Sequence, residues 1–468
     1  MERSTIAAIS TPPGTGGIGI IKISGPSALS IGNRIFHKKG LYGQSSGDQP
    51  GHGAEFPFQS HRFYYGHIID PDTSHPIDEV LIVFMKSPTS YTREDVVEIH
   101  CHSGHAALFA ILNLVLNSGA AIAQPGEFTQ RAFLNGRIDL TQAEAVMDII
   151  NAKSRNALDI AATQMRGELK ENIQAVRNEL LKIQVLCEAF IDFPEDMDED
   201  YKTGDTLVQI QTRIEKPLQE LLVNYESGHI IREGIKIAII GKPNVGKSSL
   251  MNRLLDKERV LVTDIPGTTR DMIEETLNIH GIAVILADTA GLHHTDDPVE
   301  AMGIKKTDEY IKNADLVIFM KDASESVDEN DHRIYEKIKH KKHIIVRNKI
   351  DIAVTQDPET RRHEDEIDIS VLRNTGIKEL KQKIFQTVAV DATVETGHKI
   401  VPNIRQKKMI EKALGHVSDA VHGIKGGAFL ELVVLDIKDA VESLNQVLGI
   451  SVREDVQKKI FDRFCIGK

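Results

Sequence analysis

Residues 241–249 read GKPNVGKSS, directly after the apolar run IKIAII at 235–240 and ahead of residues with helical spacing. At a strand-to-helix junction, the pattern G-x-x-x-x-G-K-[ST] forms a phosphate-binding loop. Its glycines let successive backbone N–H groups turn inward onto phosphate oxygens, and the following helix adds its positive end. Lys247 contributes a point charge and Ser248 a hydroxyl for Mg2+. A Gly-rich turn alone would say little, but lysine and serine in register make the reading specific. The runs IAVILADTAG, ADLVIFMKDAS and KHIIVRNKID are likewise short apolar stretches ending in polar turns, spaced by segments of βαβ length. This texture predicts a doubly wound parallel sheet, a Ras-like P-loop unit, over residues 229–392.

Further along, DTAG (Asp288, Thr289, Ala290, Gly291) ends a strand-like run, so the Asp288 carboxylate can hold Mg2+ through water while the Gly291 N–H meets a terminal phosphate. NKID places Asn348, Lys349 and Asp351 where a base would lie. The Asp351 carboxylate can accept hydrogen bonds from guanine N1–H and the 2-amino group, which adenine does not offer. The three motifs in this order specify a guanine-nucleotide site of unpermuted type, with GTP the expected substrate. TDIPGTTRD supplies the switch loop through Thr263, Asp264, Ile265, Pro266, Gly267, Thr268 and Thr269, with Thr269 the expected second protein ligand of Mg2+. After DTAG, Leu292 stands where small G proteins carry a water-orienting glutamine, so help with catalysis must come from elsewhere.

The flanks have a different texture. Residues 1–120 read as an α+β domain, with β-rich runs GIGIIKIS, RFYYGHII and EVLIVFM and a helix HAALFAILNLVLNSGA closed by Gly119. Residues 40–60 are rich in Gly, Ser, Gln and Pro and read as a loop. Residues 121–228 turn helical, as in LTQAEAVMDIINAKSRNALDIAATQM with Asp139 and Thr141 as candidate caps; AFIDFPEDMDEDY reads as a solvated break at Pro194. Helical texture returns over 393–468, so the α/β unit looks inserted into a helical domain. The run HCHSGH gathers His100, Cys101, His102 and His105; no further His/Cys cluster completes a metal shell, and a pocket wall is expected.

A length of 468 residues predicts two to four domains. The net charge of -12 argues against a protein whose whole surface coats nucleic acid. Three scattered cysteines do not make a disulfide framework, and no signal peptide, transit peptide or membrane span is legible, so a cytoplasmic location is expected. The closing FCIGK sets a thiol, Cys465, beside Lys468; "CIGK" lacks the aliphatic pair and final residue of a prenylation box.

With the motifs in hand, the chain closely resembles the MnmE (TrmE) family of tRNA modification GTPases over nearly all its length. The stretches carrying the resemblance are TPPGTGGIGIIKISG, YTREDVVEIHCHSGH, QPGEFTQRAFLNGRIDLTQAEA, AFIDFPED, the nucleotide motifs and FCIGK. The resemblance implies an N-terminal folate-binding and dimerising domain, a helical domain and an inserted G domain in a homodimer. It further implies that this dimer works with an FAD-dependent partner, MnmG, as a heterotetramer, to add an aminomethyl or carboxymethylaminomethyl group at C5 of the tRNA wobble uridine. The one-carbon unit would come from a tetrahydrofolate derivative, in its 5-formyl or 5,10-methylene form.

For catalysis the resemblance implies K+, held by the Asn244 side chain, the carbonyls of Thr263 and Ile265, and Thr268 when two G domains meet. Such a cation offsets charge that develops on the phosphates. Val245, Gly246 and Ser249 fall within the matched phosphate loop, and Glu300 matches an acid that orients the attacking water. Folate is implied to lie against Lys22, Glu98, Arg137 and Lys468, with Glu98 accepting from the pterin and the cations meeting glutamyl carboxylates. Cys465 would then ride on the last helical turn into that cavity, where a thiolate could add to uridine C6, the bland alternative being a residue that orders the tail.

Thr15 and Lys22 stand where relatives carry a basic residue and arginine, which implies a different folate grip, because lysine lacks the planar fork. Val371 of Ser370-Val371 departs from the base-packing Ser-Ala pair. Two other readings remain: a GTP-driven assembly or signalling switch whose folate-like domain only docks partners, and a folate-dependent one-carbon transferase with a regulatory G domain.

Overall fold

Alternation of apolar and polar residues shapes the first sheet. The computed structural model describes residues 4–12, 14, 16–38, 57–193, 203–255, 274–287, 310–353, 366–389 and 400–468. These residues fall into two units, 1–147 with 448–468, and 148–447.

In the first unit the elements run β1 (Ile6–Ile9), β2 (Gly19–Ser24), α1 (Ala28–Ile35), β3 (Phe36–Lys38), β4 (Phe63–Ile69), β5 (Pro76–Met85), β6 (Val96–Cys101), α2 (His105–Asn117), β7 (Ala121–Ile122) and α3 (Glu127–Leu134). The sheet order is β3-β4-β5-β6-β2-β1-β7. In β2, Ile21 and Ile23 enter a core with Ile82, Ile99, Ile111 and Val115. Period two then sends Lys22 to the opposite face, where it pairs in register with Glu98 of β6.

α4 (Leu140–Asn151) follows and crosses into the second unit. Asp139 caps it as expected: its Oδ1 accepts from the N–H groups of Thr141 at 2.7 Å and Gln142 at 3.1 Å. Thr141 is not a cap but lies inside the helix, its hydroxyl turned back to Asp139 at 2.6 Å. The helical run breaks before α5 (Arg155–Met165) because Ser154 is extended and caps the new helix at Ala157 N–H. α6 (Glu168–Asp192) carries the residues AFID as helix, and the rest of AFIDFPEDMDEDY beyond Phe193 lies outside the described residues, as does most of 40–60. α7 (Thr203–Ile210) passes through a π turn, Gln211–Glu215, into α8 (Lys216–Glu233).

The second sheet is built from β8 (Ile235–Gly241), β9 (Glu274–Ile279), β10 (Ile282–Ala287), β11 (Leu316–Asp322), β12 (His343–Asn348) and β13 (Glu366–Asp368), with α9 (Lys247–Leu255), α10 (Glu329–Ile338) and α11 (Ile377–Ala389). Its order is β13-β12-β11-β8-β10-β9. Both faces are covered, one by α9 and α11 around Ile237, Leu286 and Ile318, the other around Ala238, Phe319 and Ile338. Such double burial explains the unbroken apolar runs. The expected parallel sheet is corrected at one edge, where β9 pairs antiparallel with β10. The cause is local: His280 and Gly281, at φ 50° and 86°, make a two-residue turn of the kind that closes a hairpin.

α12 (Ile404–Gly426), α13 (Leu430–Leu448) and α14 (Glu454–Phe461) complete the described chain. Within the second unit the two helical stretches, distant in sequence, are joined by polar contacts: the Val401 carbonyl accepts from Gln164 Nε2 and from Arg232 Nη1 at 3.1 Å, and Arg232 also pairs with Asp148. No helix among the described residues is long and apolar enough to cross a membrane.

Candidate nucleotide-binding site

The loop between β8 and α9 is held at close quarters. Gly246 adopts φ +100°, and a Cβ there would lie 2.4 Å from Asn348 Nδ2, so the position admits only glycine. Asn348 Nδ2 donates to the Val245 carbonyl at 2.8 Å, which ties the phosphate loop to the end of β12. Asn348 is thus a brace between loops, a role its side chain fills from a buried position. The Lys247 ammonium donates to the carbonyls of Gly241 at 3.0 Å and Lys242 at 2.8 Å, and burial pulls its pKa down. It therefore lies across the mouth of the loop, within reach of an anion placed there. Ser248 and Ser249 are exposed at the start of α9, and the Ser248 hydroxyl is an oxygen donor of the class that Mg2+ takes. Asn244, exposed at φ 64°, stands at the crest of the loop.

A cleft of about 570 Å3 adjoins this loop, lined by Asn244, Gly246, Ser249, Asn348, Asp351 and Val371. The structure therefore brings the P-loop, NKID and Ser370-Val371 into one place. Ser370 Oγ donates to Asp351 Oδ1 at 2.6 Å, and the Val371 N–H donates to Asn348 Oδ1 at 3.1 Å. The serine hydrogen bond holds the Asp351 carboxyl below its ordinary pKa, so it is a charged acceptor at neutral pH. Lys349 leans the other way, pairing with the buried Asp322 at 2.6 Å. The sequence reading did not single out Asn252, Arg253, Ile352 or Leu372, which also line the cleft. Helical spacing from Ser249 gives Asn252 and Arg253; nothing local marks the other two.

Thr263, Asp264, Ile265, Pro266, Gly267, Thr268, Thr269, Asp288, Thr289, Ala290, Gly291 and Glu300 lie outside the described residues, as does Thr15.

The first unit holds a second polar cluster. Lys22 Nζ lies 3.6 Å from Glu98 Oε1 and 5.4 and 5.5 Å from the ring centres of Tyr91 and Phe128. Arg137 stacks on the same Tyr91 ring at 4.6 Å, and its Nη1 donates to the Tyr91 carbonyl. Burial lowers the Lys22 pKa against the pull of Glu98, with Lys468 and Arg137 lowering it further. A hydrogen bond with His100 leads the causes that lower the Glu98 pKa, against burial. Residues 22, 98, 137 and 468, scattered along the sequence, thus form one charged group. The tail is fixed by backbone bonds, the Phe128 N–H to the Lys468 carbonyl at 3.2 Å and the Gly126 N–H to the Cys465 carbonyl at 3.4 Å. Cys465 is exposed and lies beyond α14, which ends at Phe461, so the expected placement on the last helical turn is corrected to the tail after it.

HCHSGH does not gather its side chains. His100 Nε2 turns to Glu98 at 3.4 Å, whereas Cys101, the next residue on the strand, points into the core. Burial, then Asp78, pushes the Cys101 thiol up to about 11. His102, just past the strand, pairs with Asp78 at 2.7 Å, and His105 stacks on Phe109 at 4.4 Å. Alternation along the strand separates Cys101 from His100, and His102 and His105 lie beyond its end, His105 on the following helix.

Comparison with known proteins agrees with this geometry. The family profile described as "GTP-binding protein TrmE N-terminus" matches residues 5–137, and that of the "MnmE helical domain" matches residues 140–465. Among curated relatives, the tRNA modification GTPase MnmE of Geobacter sulfurreducens is 44% identical over 468 residues, covering 100% of this chain and 99% of that one. The protein of the same name from Acetivibrio thermocellus is 44% identical over 473 residues, covering 100% of both chains. A solved structure, the G domain of the FeoB iron transporter of T. maritima, is 29% identical over 33% of this chain and 98% of that chain, at a TM-score of 0.26, too low to bear on the fold. With full-length relatives at this identity and both profiles in register, the chain belongs to the MnmE family of tRNA modification GTPases.

Proposed function

We propose that this GTPase is a K+-activated, Mg2+-dependent hydrolase that acts as a homodimer, with an FAD-dependent MnmG partner, in building an aminomethyl-type group at C5 of the tRNA wobble uridine from a tetrahydrofolate one-carbon unit. The proposed organisation is a folate-binding domain at 1–120, a helical domain from 121–228 and 393–468, and a G domain at 229–392. One observation supports the reading beyond GTP hydrolysis most directly: Lys22, Glu98, Arg137 and Lys468 form a single charged group beside the Tyr91 and Phe128 rings. An acid among cations and aromatic faces suits a ligand with a flat hydrogen-bonding ring and carboxylates at its other end.

In this reading Lys247 and the N–H groups of Val245 to Ser249 bind phosphate, Asp351 selects guanine, and Ser248 and Thr269 hold Mg2+. Asn244, Thr263, Ile265 and Thr268 hold K+, which when bound would offset charge developing between the phosphates. Glu300 orients the attacking water. Cys465 is assigned a nucleophilic role: its thiolate adds to uridine C6 and so makes C5 nucleophilic toward the one-carbon unit. The exposed Phe63 and Tyr65 of β4 and Leu81 of β5, with Tyr65 and Leu81 opposite each other in register, support dimerisation through this sheet.

The test is GTP turnover by the full chain in K+ against Na+ at several protein concentrations. Turnover should be faster in K+ and rise per chain with concentration. Indifference to both would sink the dimer and ion together. Replacing Cys465 with Ser should stop tRNA modification while sparing GTP hydrolysis; unchanged modification would end the nucleophile assignment. Normal wobble uridines in cells lacking the protein would favour an assembly switch instead.

A further inference from the structure

Lys242, the second residue of GKPNVGKSS, carries a cation at the start of the phosphate loop. The structure turns it away. Its Nζ lies 2.9 Å from Asp331 Oδ2, 3.1 Å from Asp328 Oδ2 and 3.6 Å from Glu325 Oε2, and its side chain is 14% exposed. Asp328 and Asp331 are the N-cap and third residue of α10 and form its reciprocal capping box. The carboxylates are therefore fixed by the helix end, and the ammonium is fixed by them. Asp331 is buried, and its Oδ1 has no hydrogen-bond partner among the described residues. A buried carboxylate with one oxygen unpaired depends strongly on the cation at the other.

The backbone of the same lysine faces the nucleotide side. Its carbonyl accepts from Lys247 Nζ at 2.8 Å, alongside the Gly241 carbonyl at 3.0 Å. At the far end of the loop, Asn348 holds the Val245 carbonyl at 2.8 Å. The phosphate loop thus spans two anchors, one on β12 and one on α10.

We propose that Lys242 is a positioning residue, whose ion pair with Asp331 and Asp328 clamps the start of the phosphate loop to α10 and sets the two carbonyls that aim Lys247. Without the clamp, residues 241–244 must be ordered by the nucleotide itself. That ordering is on the order of one residue's backbone freedom, so affinity should fall about tenfold. The clamp acts before phosphate arrives, so it should appear in nucleotide affinity and KM more than in kcat.

The test uses the full chain with a fluorescent guanosine diphosphate and GTP turnover. Lys242→Met keeps length without charge, Asp331→Asn keeps an acceptor for the Asp328 N–H, and Lys242→Arg restores the charge. Lys242→Met and Asp331→Asn should each weaken diphosphate binding and raise KM about tenfold, with kcat moving less than KM. The double variant should be no weaker than either single, and Lys242→Arg should recover most of the loss. A lysine that touches phosphate gives the opposite pattern: Asp331→Asn frees the ammonium and binds as tightly as the parent or tighter. That result, additive losses in the double variant, or a loss confined to kcat would each overturn the clamp. Melting of the nucleotide-free proteins checks that the variants are folded, and Asp328→Asn, which leaves Asp331 in place, gives a milder second probe with the same expected sign.

Discussion

In the proposed reading Asp351 meets the purine edge with one carboxylate, and Ser370 holds that carboxylate by a 2.6 Å hydrogen bond. Asparagine there would present an amide N–H to a guanine N–H, so Asp351→Asn should weaken guanine nucleotides more than about tenfold and favour xanthine nucleotides, whose C2 oxygen accepts. Titration with both diphosphates reads the swap. Asp322 is a different case. Burial pushes its pKa up, but Lys349 and Ser324 together outweigh it and hold the group below the ordinary carboxylate value. A folded pKa below the unfolded one gives stability that is fully present above about pH 4 and lost as pH falls through the folded value. The parent should therefore lose stability on acidification below about pH 4 more steeply than Asp322→Asn, in denaturant titrations at stepped pH.

Among elements, the join between distant helical stretches matters most. Arg232 in α8 is 6% exposed and pairs with Asp148 of α4 while donating to the Val401 carbonyl ahead of α12. Arg232→Met removes one donor from each acceptor, the Val401 carbonyl keeping Gln164, and should cost about 3 kcal/mol, measured by denaturant unfolding. Asp148→Asn should cost less, because Arg232 keeps the carbonyl. A second element pair is set against itself. Asp436 of α13 has a pKa raised by burial and then by Asp419 of α12, with His416 opposing and Asp439 adding to it. A raised carboxyl pKa means that ionisation opposes folding, so stability rises as pH falls through the folded value. Asp436→Asn should raise the melting temperature at neutral pH, and the gain should vanish on acidification.

For the whole molecule, the nucleotide cleft lies within residues 148–447 and the Lys22 cluster within 1–147 and 448–468. A ligand stabilises what it binds, by about 2.7 kcal/mol at a hundredfold excess over Kd. Guanosine diphosphate with Mg2+ should therefore slow hydrogen exchange in β8, α9 and β12, and a reduced folate should slow it in β2, β6 and α3. Protection of β2, β6 and α3 by nucleotide alone would remove the proposed assignment of separate sites.

The amino-acid sequence by itself determined the phosphate loop and the NKID motif that mark a GTPase, because each rests on a few residues at fixed local spacing. It also determined the alternation that sends Ile21 and Lys22 to opposite faces of one strand, and the capping by Asp139. The structure added the antiparallel edge at β9 and the place of Thr141 inside its helix, which turn on local geometry, a two-residue turn at His280-Gly281 and a cap two residues ahead. Only the tertiary structure decided the pairing of Lys242 with α10, because its partners lie far off in sequence, where pairing of charge rather than local propensity chooses the partner. The gathering of Lys22, Glu98, Arg137 and Lys468 has the same origin: no spacing links them, and strand register, a stacked ring and a docked tail bring their charges together.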